Sequence, residues 1–247
     1  MAGKQWSRDE VLAAFNVYCR TPFGRLHARN PEIGRLAEAL GRSANSVAMK
    51  CCNLAAFDPD LAQKGLSKGS KLDRAIWDEF HAEPERMGYE SELKFAELLD
   101  RPPRQAKTLE LRDVQGLDRE AITKVRVNQR LFRWIILAGY NNACAICGLP
   151  IPQLLVAAHI VPWSADPALR MNPRKGICLC ALHDKAFDTG ILRVASDYRI
   201  SISIPVLRNS TNETATDSTA VFLLAFDGER LRLPERWLPD ARLLSRR

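Results

Sequence analysis

The chain has 247 residues, with 36 Lys and Arg against 29 Asp and Glu for a formal net charge of +7; it can bury one large core or two small ones, and its balance favours a polyanionic partner, nucleic acid first. Its longest apolar stretch, residues 131–139, is interrupted by Arg133 and is too short to cross a bilayer, so a membrane partner is excluded. Met1-Ala-Gly-Lys-Gln-Trp6 has no apolar export core, so a prokaryotic cytoplasm is expected, where seven cysteines point to metal or packing and not to a disulfide framework.

Residues 1–62 read as a helical unit. Ser7 caps the first helix and Glu10 completes a capping box; Leu12, Phe15, Val17 and Cys19 follow at helical spacing. Asn30-Pro31 starts a second helix with Ile33, Leu36, Ala37 and Leu40 on one face, and Gly41 ends it. Arg42-Ser43 starts a third, carrying Val47, Met49 and Cys51, which stops at Asp58-Pro59. Helix, glycine turn and helix make a helix-turn-helix outline. With Trp6 and Leu40-Gly-Arg-Ser-Ala-Asn-Ser-Val47 the unit resembles Myb/SANT-like trihelical domains. That resemblance implies a third helix turned to DNA through Arg42, Asn45, Ser46 and Lys50. The alternative is a plain helical bundle packed on the rest of the chain or on a partner.

Residues 63–118 read as linker and helical connector: a small, polar stretch at 64–70, helical patterns at 72–80 and 91–99, and a break at Arg101-Pro-Pro-Arg104. Residues 119–140 form one long predicted helix. Val127, Leu131, Trp134, Ile135 and Ala138 make its apolar face, and Arg126, Arg130 and Arg133 make a basic stripe. The stripe suits phosphates, and a merely solvated face is the alternative. After Gly190 the pattern turns to strands: residues 199–204 alternate with period two, and Val221-Phe-Leu-Leu-Ala-Phe226 reads as a second strand. The two are expected to pair as a hairpin across a polar loop at 209–219. Residues 236–247 are basic and suggest no role.

The chemistry concentrates in Cys144-Ala-Ile-Cys147-Gly, then Ala157-Ala-His159-Ile-Val-Pro-Trp163, then Asn172-Pro-Arg-Lys175-Gly-Ile-Cys178-Leu-Cys180-Ala-Leu-His183-Asp184-Lys-Ala-Phe-Asp188. The order is strand, loop, strand, helix. So small a unit needs a staple, and two Cys-x-x-ligand pairs, Cys144/Cys147 and Cys180/His183, have the spacing of a structural zinc cage; the alternative is cysteines packed in a core, as Cys178 is read to be. This segment resembles the HNH endonuclease family, in the branch with an Ala-His-Ile-x-Pro strand and a Leu-His-Asp-x-Ala-Phe-Asp helix. The likeness covers residues 140–195, and Arg126-Val-Asn-Gln-Arg-Leu-Phe-Arg133 is similar to the helix that precedes the core.

The resemblance implies a ββα-metal finger that hydrolyses DNA with Mg²⁺ or Mn²⁺. His159 falls at the general-base position, and Asp184 and Asp188 at the carboxylate positions for the catalytic ion. His183 would serve that ion if no zinc were held. Two departures stand out. Ala158 replaces a metal ligand, and Lys175 stands where the family places a loop-fixing Asn. Lys175 would then contact a phosphate, with Asn172 fixing the loop. The expected architecture is α+β: a helix-turn-helix-like module at 1–62, a connector at 63–118, and a ββα-metal HNH nuclease domain at 119–247 with a C-terminal β-hairpin. One finger cuts one strand, so a double-strand break would require a homodimer. A non-catalytic DNA-binding or regulatory protein with a degenerate finger is the competing reading, and a zinc-stapled protein-interaction domain is the third.

Overall fold

A computed structural model describes residues 5–61, 69–100, 116–161, 170–203 and 221–244. Most of the expected linker at 64–70, the break at Arg101-Pro-Pro-Arg104, the strand end at Pro162-Trp163 and the polar loop at 209–219 lie outside the described residues. Among those described, the architecture is α+β, with eight α-helices and two small antiparallel hairpins.

Helix α1 (Arg8–Arg20) starts as predicted. Ser7 Oγ accepts the Glu10 N–H at 3.2 Å, and Glu10 accepts the Ser7 N–H at 3.0 Å. Every residue from Glu10 to Cys19 is buried. A helix covered on all sides is a core helix, and α2 (Pro31–Leu40), α3 (Ala44–Ala55), α4 (Lys71–Ala82) and α5 (Pro84–Leu98) pack around this one. One of its polar side chains bonds inside the core: Asn16 Nδ2 donates to Ser91 Oγ and to Glu92 Oε2, both at 3.1 Å. The α2–turn–α3 outline is present, with Gly41 in the left-handed region and Ser43 capping α3.

The long helix α6 (Gly116–Gly139) lies between this helical layer and the finger. Its buried surface is wider than the predicted stripe: Leu131, Phe132, Ile135 and Ile136 are all buried, because α6 packs on α1 and α5 with one side and on the finger with the other. Apolar residues of the helices and of the finger join in one continuous core.

The finger is β1 (Leu155–His159) paired antiparallel with β2 (Gly176–Cys180), followed at once by α7 (Ala181–Asp188). Leu155 faces Cys180 and His159 faces Gly176 across the pair. A Cβ on Gly176 would meet Phe132 Cζ at 2.8 Å and press into Ile136, so glycine here lets the strand lie against α6.

The expected C-terminal hairpin has a different partner. Strand β3 (Leu192–Val194) pairs with β4 (Ile200–Ile202), and Val221–Phe226 forms helical turns in place of a strand. Closing the short turn between Val194 and Ile200 costs less chain entropy than closing a loop out to residue 221. The turn is fixed locally, with Tyr198 at φ 65° and Asp197 Oδ1 accepting the Arg199 N–H at 3.1 Å.

The segment from Leu231 to the short helix α8 (Ala241–Leu244) straps the two layers together. Arg232 N–H donates to Ala145 O and Glu235 N–H to Gly139 O, both at 2.9 Å. Arg236, 1% exposed, donates to Tyr18 O and Thr21 O at the end of α1, each at 2.8 Å. The described residues of the first unit, 5–61, are therefore packed into the body of the protein.

Candidate active site and metal centre

The four expected cage residues converge. The ligand atoms of Cys144, Cys147, Cys180 and His183 all lie within 4.8 Å of one another. His183 Nδ1 is 3.1 Å from Cys180 Sγ and 3.6 Å from Cys144 Sγ, and Cys147 Sγ is 4.0 Å from Cys180 Sγ. A tetrahedral zinc bound to sulfur and nitrogen needs ligand separations of roughly 3.5–3.8 Å, so the donors fit that ion in type, and their separations fall on both sides of that spacing. His183 Nε2 meets Phe222 O at 3.1 Å. A proton on Nε2 leaves the Nδ1 lone pair toward the sulfurs, the arrangement a metal-bound imidazole needs. With zinc in the cage both ring nitrogens of His183 would be engaged, so the ring would serve a second, catalytic ion only if no zinc were held.

Local structure builds the cage. Gly148 follows Cys147 at φ +73°, and a Cβ there would also press into the Arg232 guanidinium. The turn aims the Ile146 and Cys147 N–H groups at Cys144. Burial pushes the Cys144 thiol up, but hydrogen bonds to its sulfur from those N–H groups and from a His183 Nδ1 that carries a proton in place of an ion outweigh it and lower the pKa to about 6. Burial dominates at Cys147, which is pushed up to about 12. Cys178 is buried outside the cluster, as expected of a packing residue.

His159 ends β1 and is half-buried. Its ring stacks on Phe132 with centroids 4.1 Å apart and planes at 15°, and its Nε2 is 3.3 Å from Arg170 O. A carbonyl can only accept, so this contact calls for a proton on Nε2 and puts the lone pair on Nδ1. Asp184 and Asp188 sit at i and i+4 on α7, the first half-buried and the second exposed, a spacing that puts both carboxylates on one helical face. Ala158 is buried opposite Ile177.

The HNH endonuclease family model matches residues 144–194. That segment is an HNH domain. No match was found among curated proteins or among solved structures.

Around the HNH domain, Asn172 Oδ1 accepts the Arg174 N–H at 3.0 Å and caps the 3-10 turn Pro173–Lys175. Lys175 is buried, 6% exposed.

Most of the expected DNA-contacting cations are used internally. Arg42 donates to Gln5 O and Glu10 Oε2, both at 2.8 Å, and its guanidinium lies 4.1 Å from the Trp6 ring. Lys50 Nζ is bonded to Asp73 Oδ1 at 2.8 Å, its side chain 7% exposed. Arg133 donates to Leu155 O and Pro152 O, fastening α6 to the start of the HNH domain. Asn45 is exposed, Arg126 is half-buried, and Arg130 is half-buried with its guanidinium 4.8 Å from the Trp134 ring. Of the residues expected to face DNA at and before α3, Asn45 is exposed, Ser46 is half-buried, and Arg42 and Lys50 are bonded inside. The sequence reading did not identify the Phe132 platform or the two carbonyls that set the histidines. Phe132 did lie in the flanking stretch likened to the family; the carbonyls leave no sequence signal.

Proposed function

We propose that the protein is a metal-dependent endonuclease that hydrolyses DNA phosphodiester bonds at the HNH domain. The observation that carries this reading is the setting of His159: an imidazole clamped on Phe132 and held through Nε2 by a backbone carbonyl, at the end of the strand that pairs with the one leading into the two-carboxylate helix. His159 Nδ1 accepts a proton from the attacking water. The water oxygen bonds to phosphorus, the P–O3′ bond breaks, and the leaving oxygen is protonated from solvent. Asp184 and Asp188 would hold a Mg²⁺ or Mn²⁺ ion, which when bound supplies charge stabilisation to the phosphoryl and leaving oxygens. Structural zinc in the Cys144/Cys147/Cys180/His183 cage holds the small finger together. Asn172 holds the turn ahead of β2. Arg126, Arg130 and Asn45 remain as candidates to touch DNA.

The finger likeness is shared with enzymes of restriction and phage defence, and we assign the protein to that setting, in a prokaryotic cytoplasm, by that analogy alone. Among the described residues no helix is long and apolar enough to cross a membrane. A homodimer is proposed only for double-strand cutting.

The test is incubation of supercoiled plasmid with Mg²⁺ or Mn²⁺, comparing wild type with His159→Ala. The expected result is nicking by the wild type that falls about 10²–10⁴-fold in the variant, the usual contribution of a general base. DNA bound but uncut by both proteins would select the degenerate-finger reading, which Ala158 and the buried Lys175 favour.

A further inference from the structure

The turn Pro173–Lys175 lies between the end of the His159 strand and the helical layer, and it is held from both sides. On the finger side, the Lys175 N–H donates to Asn172 O at 3.0 Å. The Lys175 carbonyl accepts the Ile160 N–H at 2.8 Å, one residue beyond His159. On the other side, Arg174 Nη1 is 3.2 Å from Asp60 Oδ2, and Arg174 O accepts the Asp240 N–H at 2.8 Å. Asp60 ends the first helical unit. Its Oδ2 also accepts the Leu238 N–H at 3.0 Å. Its own N–H donates to Asp58 Oδ1 at 3.0 Å, and Asp58 Oδ2 accepts the Tyr18 hydroxyl of α1 at 3.3 Å. A continuous run of hydrogen bonds and one ion pair therefore links the core helix to the backbone beside His159.

We propose that Asp60 is a positioning residue for the HNH domain: it fixes Arg174, the turn follows, and the end of β1 with its imidazole is held in register. The inference rests on the nuclease reading and deepens it, because it gives the helical unit a bracing task at the active site. Arg174 is 42% exposed and Asp60 13%. The ion pair alone is therefore modest. The larger effect is geometric, since one carboxylate ties both the Arg174 turn and the Leu238 segment to the end of the first helical unit.

The experiment uses the full chain with Asp60→Ala, Asp60→Asn and Arg174→Lys. Asp60→Asn keeps an acceptor for Leu238 and removes the charge; Arg174→Lys keeps the charge and changes the reach. Two readouts are taken: kcat and KM for plasmid nicking in Mg²⁺, and the NMR position of the His159 imidazole Cε1–H with no DNA present. The expected result is a kcat loss of about fivefold to tenfold for Asp60→Ala with KM unchanged, as for a small displacement of a reacting group. A smaller loss is expected for Asp60→Asn, partial retention for Arg174→Lys, and a moved or broadened His159 resonance in Asp60→Ala. A lowered melting temperature with wild-type kcat per folded molecule and an unmoved His159 resonance would overturn the proposal. If the wild type fails to nick DNA, the nuclease reading fails by itself. The imidazole resonance then decides the bracing claim alone.

Discussion

Replacing Arg236 by Met tests whether the C-terminal strap fastens the helical layer to the finger. The substitution keeps most of the stem volume and removes both donors to Tyr18 O and Thr21 O, each now at 2.8 Å. Two effects oppose one another. Removing a buried cation relieves a desolvation cost of several kcal/mol. Against that, two buried carbonyls lose a charged donor, at about 1–3 kcal/mol each. The guanidinium also lies 4.6 Å from the Tyr18 ring and 4.8 Å from the Trp237 ring, contacts of roughly 1–2 kcal/mol when desolvated. The relief is only partial here, because the Asp58 carboxylate and the negative end of α1 already favour the cation. The net expectation is about 2–4 kcal/mol of destabilisation, within the range of losses of buried polar networks. For a chain of this size that is a fall in Tm of roughly 5–15 °C. Circular dichroism melts and urea titrations measure it, and one shared core predicts a single transition in both proteins. A change below about 1 kcal/mol, or a split in which the helical unit melts separately, would refute the reasoning.

Elemental analysis of the purified chain should find one zinc per molecule, falling below detection in Cys180→Ser. Chelation should then abolish cleavage and loosen the finger while the signal of the helical layer persists, since the staple and not the small ββα core holds that unit. Retention of full zinc by the variant would remove the cage from the account. Lys50→Met should destabilise the protein by about 3–5 kcal/mol by stranding the Asp73 carboxylate, while the slope of log affinity for DNA against log salt stays unchanged. A slope reduced by about 0.9 would mean that Lys50 does touch a phosphate.

Signals confined to neighbouring residues could be read from the sequence, and those that depend on distant ones could not. Ser7 with Glu10, Asn30 with Pro31, and Ser43 cap their helices within three residues. The Cys144/Cys147 and Cys180/His183 pairs carry their own spacing, so helix starts and cage were legible. Arg42 and Lys50 were read as DNA-facing from the likeness to trihelical domains, and Arg133 from its place on a basic stripe. Their partners are the Gln5 carbonyl and Glu10, then Asp73, then carbonyls of Pro152 and Leu155, none of them on the stripe itself. Val221–Phe226 has strand composition, yet β4 already pairs with β3 on one edge, and this segment spends a backbone carbonyl on His183. Arg236 looked like one more basic tail residue because its acceptors lie more than 200 positions earlier. The four cations share a direction: Arg42, Lys50, Arg133 and Arg236 each hold two parts of the chain together. Arg42 and Lys50 are committed to partners inside the helical layer, and Asp60 reaches the turn ahead of β2, so these polar residues hold the chain together where the sequence pattern suggested a surface.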